Sequence, residues 1–431
     1  MSAGDPAAEL LARAQAGEAE AQYQLGRQHA ARQEFARARR YLRDAAAQGH
    51  ADAQTELGLF ALFGIGLPPD IPQALEMLGN AERAGSGEAS YQLGLMAWVD
   101  SRPNFDIEQL AVRLLRAASA DFAPALRALA LVYARDAAGD GAAAARSQAC
   151  LERAAWRGDL LSVHLLAHRL LRQTDPGSRL RGRGLLALAA SMGGTRAAEQ
   201  LGAEAVQPAR LVAAPMPELV PVELATAMPG GRIEHCASPL IETYEDVYSA
   251  EECEYIIAHG HCHMKQSVTM HSATASLSES DYRTSSEMAF YTFQEDFGLR
   301  WLQSRMLLPL QTPMSHAEYL TLLRYLPGQE YRPHRDYLPP SAFAPSQRSA
   351  AAGQRVHTVF CYLSDVEAGG ETDFPLLGVR VQPARGRVVH FHNLLADGTP
   401  DARTLHAGLP VERGAKWLGT MWTRQRRLRE Y

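Results

Sequence analysis

The chain has 431 residues, 46% hydrophobic and 21% charged, with a formal net charge of −5. That length allows two or three domains with ample core, and the mild negative charge gives no electrostatic pull towards nucleic acid or an anionic membrane. No apolar run approaches ~18 residues, so no membrane-spanning helix is expected, and the N-terminal MSAGDPAAELLARAQAGEAEAQ lacks the basic start and apolar core of a signal peptide.

The first 200 residues repeat. A small residue, three variable residues, Leu and then Gly or Ala recur as AQYQLG (21–26), AQTELG (53–58), ASYQLG (89–94), ALRALA (125–130), SVHLLA (162–167) and AAEQLG (197–202). The mean spacing from position 26 to position 202 is 35.2 residues over five intervals. Four residues before each leading small residue stands Gly17, Gly49, Gly85, Asp121, Gly158 or Gly193, after an alanine-rich segment. A glycine there closes one helix and turns the chain into the next. Two helices per unit at this period predict an α/α solenoid. These motifs resemble Sel-one-like repeats, relatives of the tetratricopeptide repeat, over residues 10–203. The loop FGIGLPPDIPQALEML (64–79) carries that resemblance best, and later repeats lack its turn. Such arrays bind other proteins or act as rigid spacers, and both readings stay open.

Residues 204–235 follow as a linker, its prolines 208, 215, 217, 221 and 229 forbidding a long helix and favouring extended chain. After residue 236 the texture changes. A short helix opens at Ser249 with Glu252 three residues on, a capping box. Alternating β-branched and aromatic segments then appear at 319–326, 356–364, 386–394 and 416–424, parted by turn residues. This pattern predicts an all-β barrel or sandwich over 236–431, with its core at 318–425.

The segment GQEYRPHRDYL places His334 and Asp336 two apart in extended chain, so both side chains can enter one cavity. The same spacing at His50 and Asp52 falls in the helical array, where residues two apart diverge, so that pair is a decoy. His316 and Glu318 nearly repeat it. A redox metal site needs a third ligand. Two histidines and one carboxylate on one face suit non-haem iron(II) and leave positions open. His406 is the candidate, at the end of a strand that turns near Gly414 and returns through KWLGTMW; His357, His390 and His392 compete, with ordinary strand positions as their bland explanation. If the turn centres there, Lys416 pairs with about Val411, roughly 16 Å along the strand from His406. That distance suits a lysine arm plus a five-carbon diacid held on the metal. The stretch HGHCHM (259–264) is too crowded for one tetrahedral site and is given a non-metal role.

Residues 238–425 resemble the prolyl 4-hydroxylase-type 2-oxoglutarate/iron(II) dioxygenases. The motifs that carry this are LLRYLPGQEYRPHRDYL, GQRVHTVFCYLSDVEAGGETDFP, VQPARGRVVHFHNL and DGTPDARTLHAGLPVERGAKWLGTMWTR. The resemblance implies a double-stranded β-helix, or jelly roll. It implies iron(II) on His334, Asp336 and His406, and 2-oxoglutarate on Lys416, with Tyr325 and Thr358 hydrogen-bonding that co-substrate. Tyr331, Trp422 and Glu318 would meet the substrate, and residues 341–353 would form a lid. It further implies oxygen as co-substrate, ascorbate as rescuer of oxidised iron, and hydroxylation of a prolyl residue coupled to decarboxylation of 2-oxoglutarate to succinate. The carboxylate Asp336 argues against a halogenase. Two alternatives stand beside this: the same chemistry on a free amino acid or another side chain, and a repeat adaptor with an inactive oxygenase domain. The expected partner is a protein or peptide recruited by the repeats, with neither nucleic acid nor membrane. Five scattered cysteines, an odd number, fit free thiols and a cytoplasmic location.

Overall fold

The computed structural model describes residues 5–99, 107–136, 140–224, 230–270, 277–279, 282–343 and 348–429. Among them twelve helices, from Pro6–Gln15 to Thr195–Leu201, form the N-terminal array. The repeat markers do two different jobs. Gly17, Gly49, Gly85, Gly158 and Gly193 take φ between 83° and 97°, and Asp121 stands at 62°. A Cβ on any of these five glycines would meet nothing within 4 Å. Glycine is kept there for its left-handed backbone. The motif-closing glycines are kept for room: a Cβ on Gly26 would lie 2.8 Å from Leu42, and one on Gly58 2.8 Å from Leu78. Asp70, Asp140, Asp159 and Asp175 open later helices, each accepting a first-turn backbone N–H.

The second half is a jelly roll of two facing antiparallel sheets. The larger has eight strands in the order Arg232–Ala237, Leu240–Tyr244, Val388–His392, Arg355–Tyr362, Lys416–Arg424, Thr321–Tyr325, Ser286–Ala289 and Lys265–Gln266. The smaller has four: Val379–Val381, Thr372–Phe374, His406–Gly408 and Tyr331–His334. Phe360, Tyr362, Phe374 and Phe391 fill the space between. The capping box at Ser249 and Glu252 is present, at the start of Ala250–Gly260. Of the stretch expected to form a lid, residues 344–347 lie outside the described residues; its flanks form a 3-10 turn, Pro340–Phe343, and a short helix, Arg348–Ala352.

The proline-rich stretch is extended but not free. Ala209 N–H donates to Gly184 O (2.8 Å), Arg153 Nη1 to Ala214 O (2.7 Å), and the Tyr133 hydroxyl to Val220 O (2.6 Å). Proline forbids helix, which the sequence reveals; it does not forbid packing, which the sequence does not. The halves also share one core. Phe297, fully buried at the head of Phe297–Leu307, meets the Trp98 ring edge-on at 4.9 Å. Its backbone N–H donates to Tyr91 Oη (2.8 Å), and the bare Cα of Gly94 faces it. Around this plug, Arg127 pairs with Asp296 (2.8 Å) and Asp159, His164 with Glu254 (2.9 Å), and Arg169 with Glu251 (2.6 Å).

Candidate active site

The site forms where the smaller sheet brings two strand ends together. His334 closes Tyr331–His334, and His406 opens His406–Gly408, directly opposite it in register. The expectation that His406 ends a strand is therefore reversed. Asp336 follows two residues beyond the end of the His334 strand. His334 Nε2 lies 3.7 Å from Asp336 Oδ1, and His406 Nε2 lies 3.6 Å from Asp336 Oδ2. The ligand atoms of the three residues all lie within 4.8 Å of one another.

Each imidazole is aimed by its own backbone. His334 Nδ1–H donates to Arg332 O (2.8 Å), and His406 Nδ1–H donates to Thr404 O (3.0 Å). With both protons fixed on Nδ1, both Nε2 lone pairs face Asp336. Burial, then the neighbouring His406, hold His334 down to a pKa of about 3, so it is a neutral ligand. Burial pushes Asp336 up, but His406 and His334 outweigh it and hold the carboxylate down to about 2. Two neutral nitrogens and one carboxylate drawn together in this way fit a divalent iron with open positions.

Thr358, expected on the co-substrate, instead gives its hydroxyl to Asp336 Oδ2 (2.8 Å) and accepts from Asn393 Nδ2 (3.0 Å). Lys416 is also not where a simple hairpin would put it. It pairs with Tyr325, not with Val411; Val411 pairs with Gly369. The hairpin reading failed because Val411–Arg413 and Lys416–Arg424 join different sheets across the turn. The lysine is 2% exposed, and Nζ sits 5.3 Å from the Tyr325 ring and 5.5 Å from the Tyr362 ring. It reaches to 3.5 Å from the position of a Cβ on Gly408, two residues along the strand from His406. Two strand residues span ~6.6 Å, a length that suits a five-carbon diacid better than the longer expected path. Burial pushes Lys416 down to a pKa of about 7, and Glu371 opposes this only in part. Glu371 is the acidic group that acts on Nζ, from beyond direct ion-pair contact. A buried amine whose charged form is only partly supported from within fits an anionic ligand arriving from outside.

The expected substrate residues divide. Tyr331 stacks on His334, ring centroids 3.4 Å apart. Trp422 lies under Arg355 (4.0 Å). Glu318 is not free to meet a substrate: it accepts both Nε and Nη2 of Arg355 at 2.7 Å and Nη1 of Arg424 at 3.1 Å. Burial alone would raise Glu318, and Arg355 overrides it. Sequence reasoning missed Arg355, which also reaches Asp336 O (3.3 Å), and Gln354, which clamps Leu338 through both backbone groups. A charge opening an otherwise apolar strand was the signal for Arg355. The competitors His357, His390 and His392 lie on the far side of the large sheet. In HGHCHM, His259 packs edge-on against Phe290 (5.4 Å) and His261 bonds Glu199 of the array (2.8 Å). No metal-ligand group forms from that stretch among the described residues.

The profile of the 2OG-Fe(II) oxygenase superfamily matches residues 320–424. Prolyl 4-hydroxylase 1 of Arabidopsis thaliana is 35% identical over 203 residues, covering 44% of this chain and 70% of that protein. Among solved structures, the viral collagen prolyl hydroxylase of Paramecium Bursaria Chlorella virus-1 is 26% identical, with TM-score 0.34, covering 43% of this chain and 95% of that one. A Sel1 repeat protein from Oxalobacter formigenes is 23% identical, with TM-score 0.34, covering 42% of this chain and 74% of that one. With its oxygenase profile match and 35% identity across 70% of a plant prolyl 4-hydroxylase, the chain belongs to the prolyl 4-hydroxylase family of 2-oxoglutarate/iron(II) dioxygenases.

Proposed function

We propose that this dioxygenase hydroxylates prolyl residues of a peptide or protein. The observation that carries the reading is the convergence of His334, Asp336 and His406, with the buried Lys416 amine ending beside Gly408, two residues along the strand from His406. The overall change balances as 2-oxoglutarate, oxygen and a C–H bond giving succinate, carbon dioxide and a C–OH group. One oxygen atom enters each of succinate and product. Iron(II) bound by the three side chains would supply the oxidising power for an unactivated C–H bond.

The chain's own residues then take distinct tasks. His334 and His406 present Nε2 because their Nδ1 protons are held by backbone carbonyls. Asp336 contributes the anion, oriented by Thr358 and, through it, by Asn393. Lys416 pairs with the distal carboxylate of 2-oxoglutarate, beside Tyr325. Tyr331, stacked on His334, and Trp422, under Arg355, border the place where a proline ring would lie. Arg355 ties Trp422, Glu318 and the Asp336 backbone into one wall, so Glu318 acts by positioning. Ascorbate would serve as the reductant for iron held by His334, Asp336 and His406, and the helical repeats would recruit the protein that carries the target residue. A cytoplasmic location fits five free cysteines.

The test is mass spectrometry of proline-containing peptides incubated with the full chain, iron(II) and 2-oxoglutarate. Gain of one oxygen on proline, matched by succinate, is expected. Succinate release with oxygen on another side chain would overturn the prolyl assignment and leave the dioxygenase chemistry standing.

A further inference from the structure

Side chains alternate between the two faces of a strand. Thr358 points inward to Asp336, so His357 faces the outside of the large sheet. On the neighbouring strand Phe391 packs inward on the His406 ring (4.9 Å), so His390 and His392 face outward as well. Register sets His392 directly opposite His357, with His390 diagonal to it. Ring centroids lie 4.5 Å apart for His357 and His392, 5.3 Å for His357 and His390, and 5.2 Å for His390 and His392. The ligand nitrogens all fall within 4.8 Å.

Three histidines on one sheet face are not by themselves a site. Two further observations make them one. His390 is 2% exposed, and its Nε2 is buried without a hydrogen-bond partner. Its Nδ1 is taken by Glu242 Oε1 (2.9 Å), on the strand Leu240–Tyr244 to one side. That turns Nε2 towards the opposite side, where His357 stands. His357 is held the same way from its far side: its Nδ1 bonds Thr423 Oγ1 (2.9 Å) on Lys416–Arg424. Glu242 and Thr423 thus flank the group and direct two Nε2 atoms at each other. Glu242 is a secure anion: burial raises it, but His390, Arg232 and Tyr244 hold it down to about 2. Burial, then His390 and His392, push His357 down to about 3, leaving it neutral.

We propose that His357, His390 and His392 form a second metal site, for zinc, on the outer face of the large sheet, with Glu242 as the carboxylate behind one ligand. Three neutral imidazoles with a fourth position for water suit tetrahedral zinc, and a carboxylate on the far nitrogen of a ligating histidine is the usual support. Zinc–nitrogen bonds of 2.0–2.1 Å need nitrogens ~3.3 Å apart. Small side-chain rotations close the present spacing. This site lacks the metal-ligating carboxylate of the inner one, which separates a zinc preference from an iron preference.

The experiment counts zinc in chelator-stripped full-length protein, by elemental analysis after equilibration against a chromophoric chelator. Wild type should take up two zinc ions per chain, one in each site. His334→Ala/Asp336→Ala should keep one, with X-ray absorption reporting three nitrogen donors at about 2.0–2.1 Å. His392→Ala alone should take up one, and the triple variant none. Glu242→Gln should keep the stoichiometry and weaken the outer site by about 10–100-fold. Near-ultraviolet circular dichroism checks the fold of each. The proposal is overturned if the inner-site double variant binds no zinc, or if His392→Ala leaves its uptake unchanged. An absorption spectrum showing fewer than two nitrogens would overturn it too.

Discussion

The early and late parts of the helical array differ in what their buried faces meet. Up to about residue 90 the helices bury separate small clusters drawn from neighbours in sequence: Leu10 with Leu25, then Leu42 with Phe60, then Leu78 with Leu93. From Tyr91 onward the clusters merge. Tyr91, Trp98 and Leu131 belong to one apolar core with Tyr255, Phe297, Trp301 and Met421 of the jelly roll. The early repeats behave as a one-dimensional stack, in which each unit answers to its neighbours. The late repeats are a wall of the oxygenase. The lesson is that sequence repetition does not mark where a domain ends in the energetic sense.

Cutting the chain tests this most severely. A fragment of residues 232–431 exposes Phe297 and Tyr255 and leaves Glu254 and Asp296 without their array partners. Breaking buried pairs by removing one side costs about 3–5 kcal/mol each. We expect the fragment to lose cooperative unfolding and turnover, whereas a chain of residues 49–431 folds and decarboxylates 2-oxoglutarate at the full-length rate. Calorimetry and succinate release measure both. A well-folded, active 232–431 fragment would sink the shared-core view.

A point change is gentler. Phe297→Ala should destabilise the full chain by about 3–5 kcal/mol, as for other large buried aromatics. Residues 91–201 and the jelly roll should lose stability together, in one transition by calorimetry. Two separated transitions, with only the jelly roll shifted, would show that the plug belongs to one side.

The smallest effect concerns the cavity interior, which the early repeats should not influence. Lys416 has its pKa lowered by burial to about 7, so above that pH the free protein holds it neutral. A carboxylate that binds it favours the charged form and takes up a proton. At pH 8 calorimetry in buffers of different ionisation enthalpy should report net proton uptake on 2-oxoglutarate binding, and much less at pH 6. Affinity should therefore fall as pH rises above 7. Lys416→Met should remove the uptake, and the 49–431 chain should reproduce it. Uptake persisting in Lys416→Met would assign it to another group.

Legibility in the sequence followed range. The array was readable because its signals are local and repeated: a helix-closing glycine and a small residue, Leu and Gly or Ala at fixed spacing. His334 and Asp336 were readable because period two works on neighbours. Lys416 was readable as a residue but not as a position, since its partner is Tyr325, on a strand far back in the chain. The shared core was invisible. Nothing in Tyr91, Gly94 or Phe297 distinguishes a repeat residue that packs within the array from one that receives a plug some 200 positions later. Arg355 was missed for a similar reason: its meaning comes from Glu318 and Trp422, which flank it only in space.

The strapping of residues 209–220 onto the array, together with the Phe297 plug, leaves no slack between the late repeats and the jelly roll that carries His334, Asp336 and His406, and this matters if the array grips a partner. A tether with slack raises local concentration for every target residue within its reach. A rigid mount selects by contour length instead. A chain held at one point on the array can present only those residues whose distance from the grip matches the gap. Choice among many similar prolines would then be made by measurement along the partner, not by the residues beside the target, and moving the grip point by one helix pair would change which proline is in range.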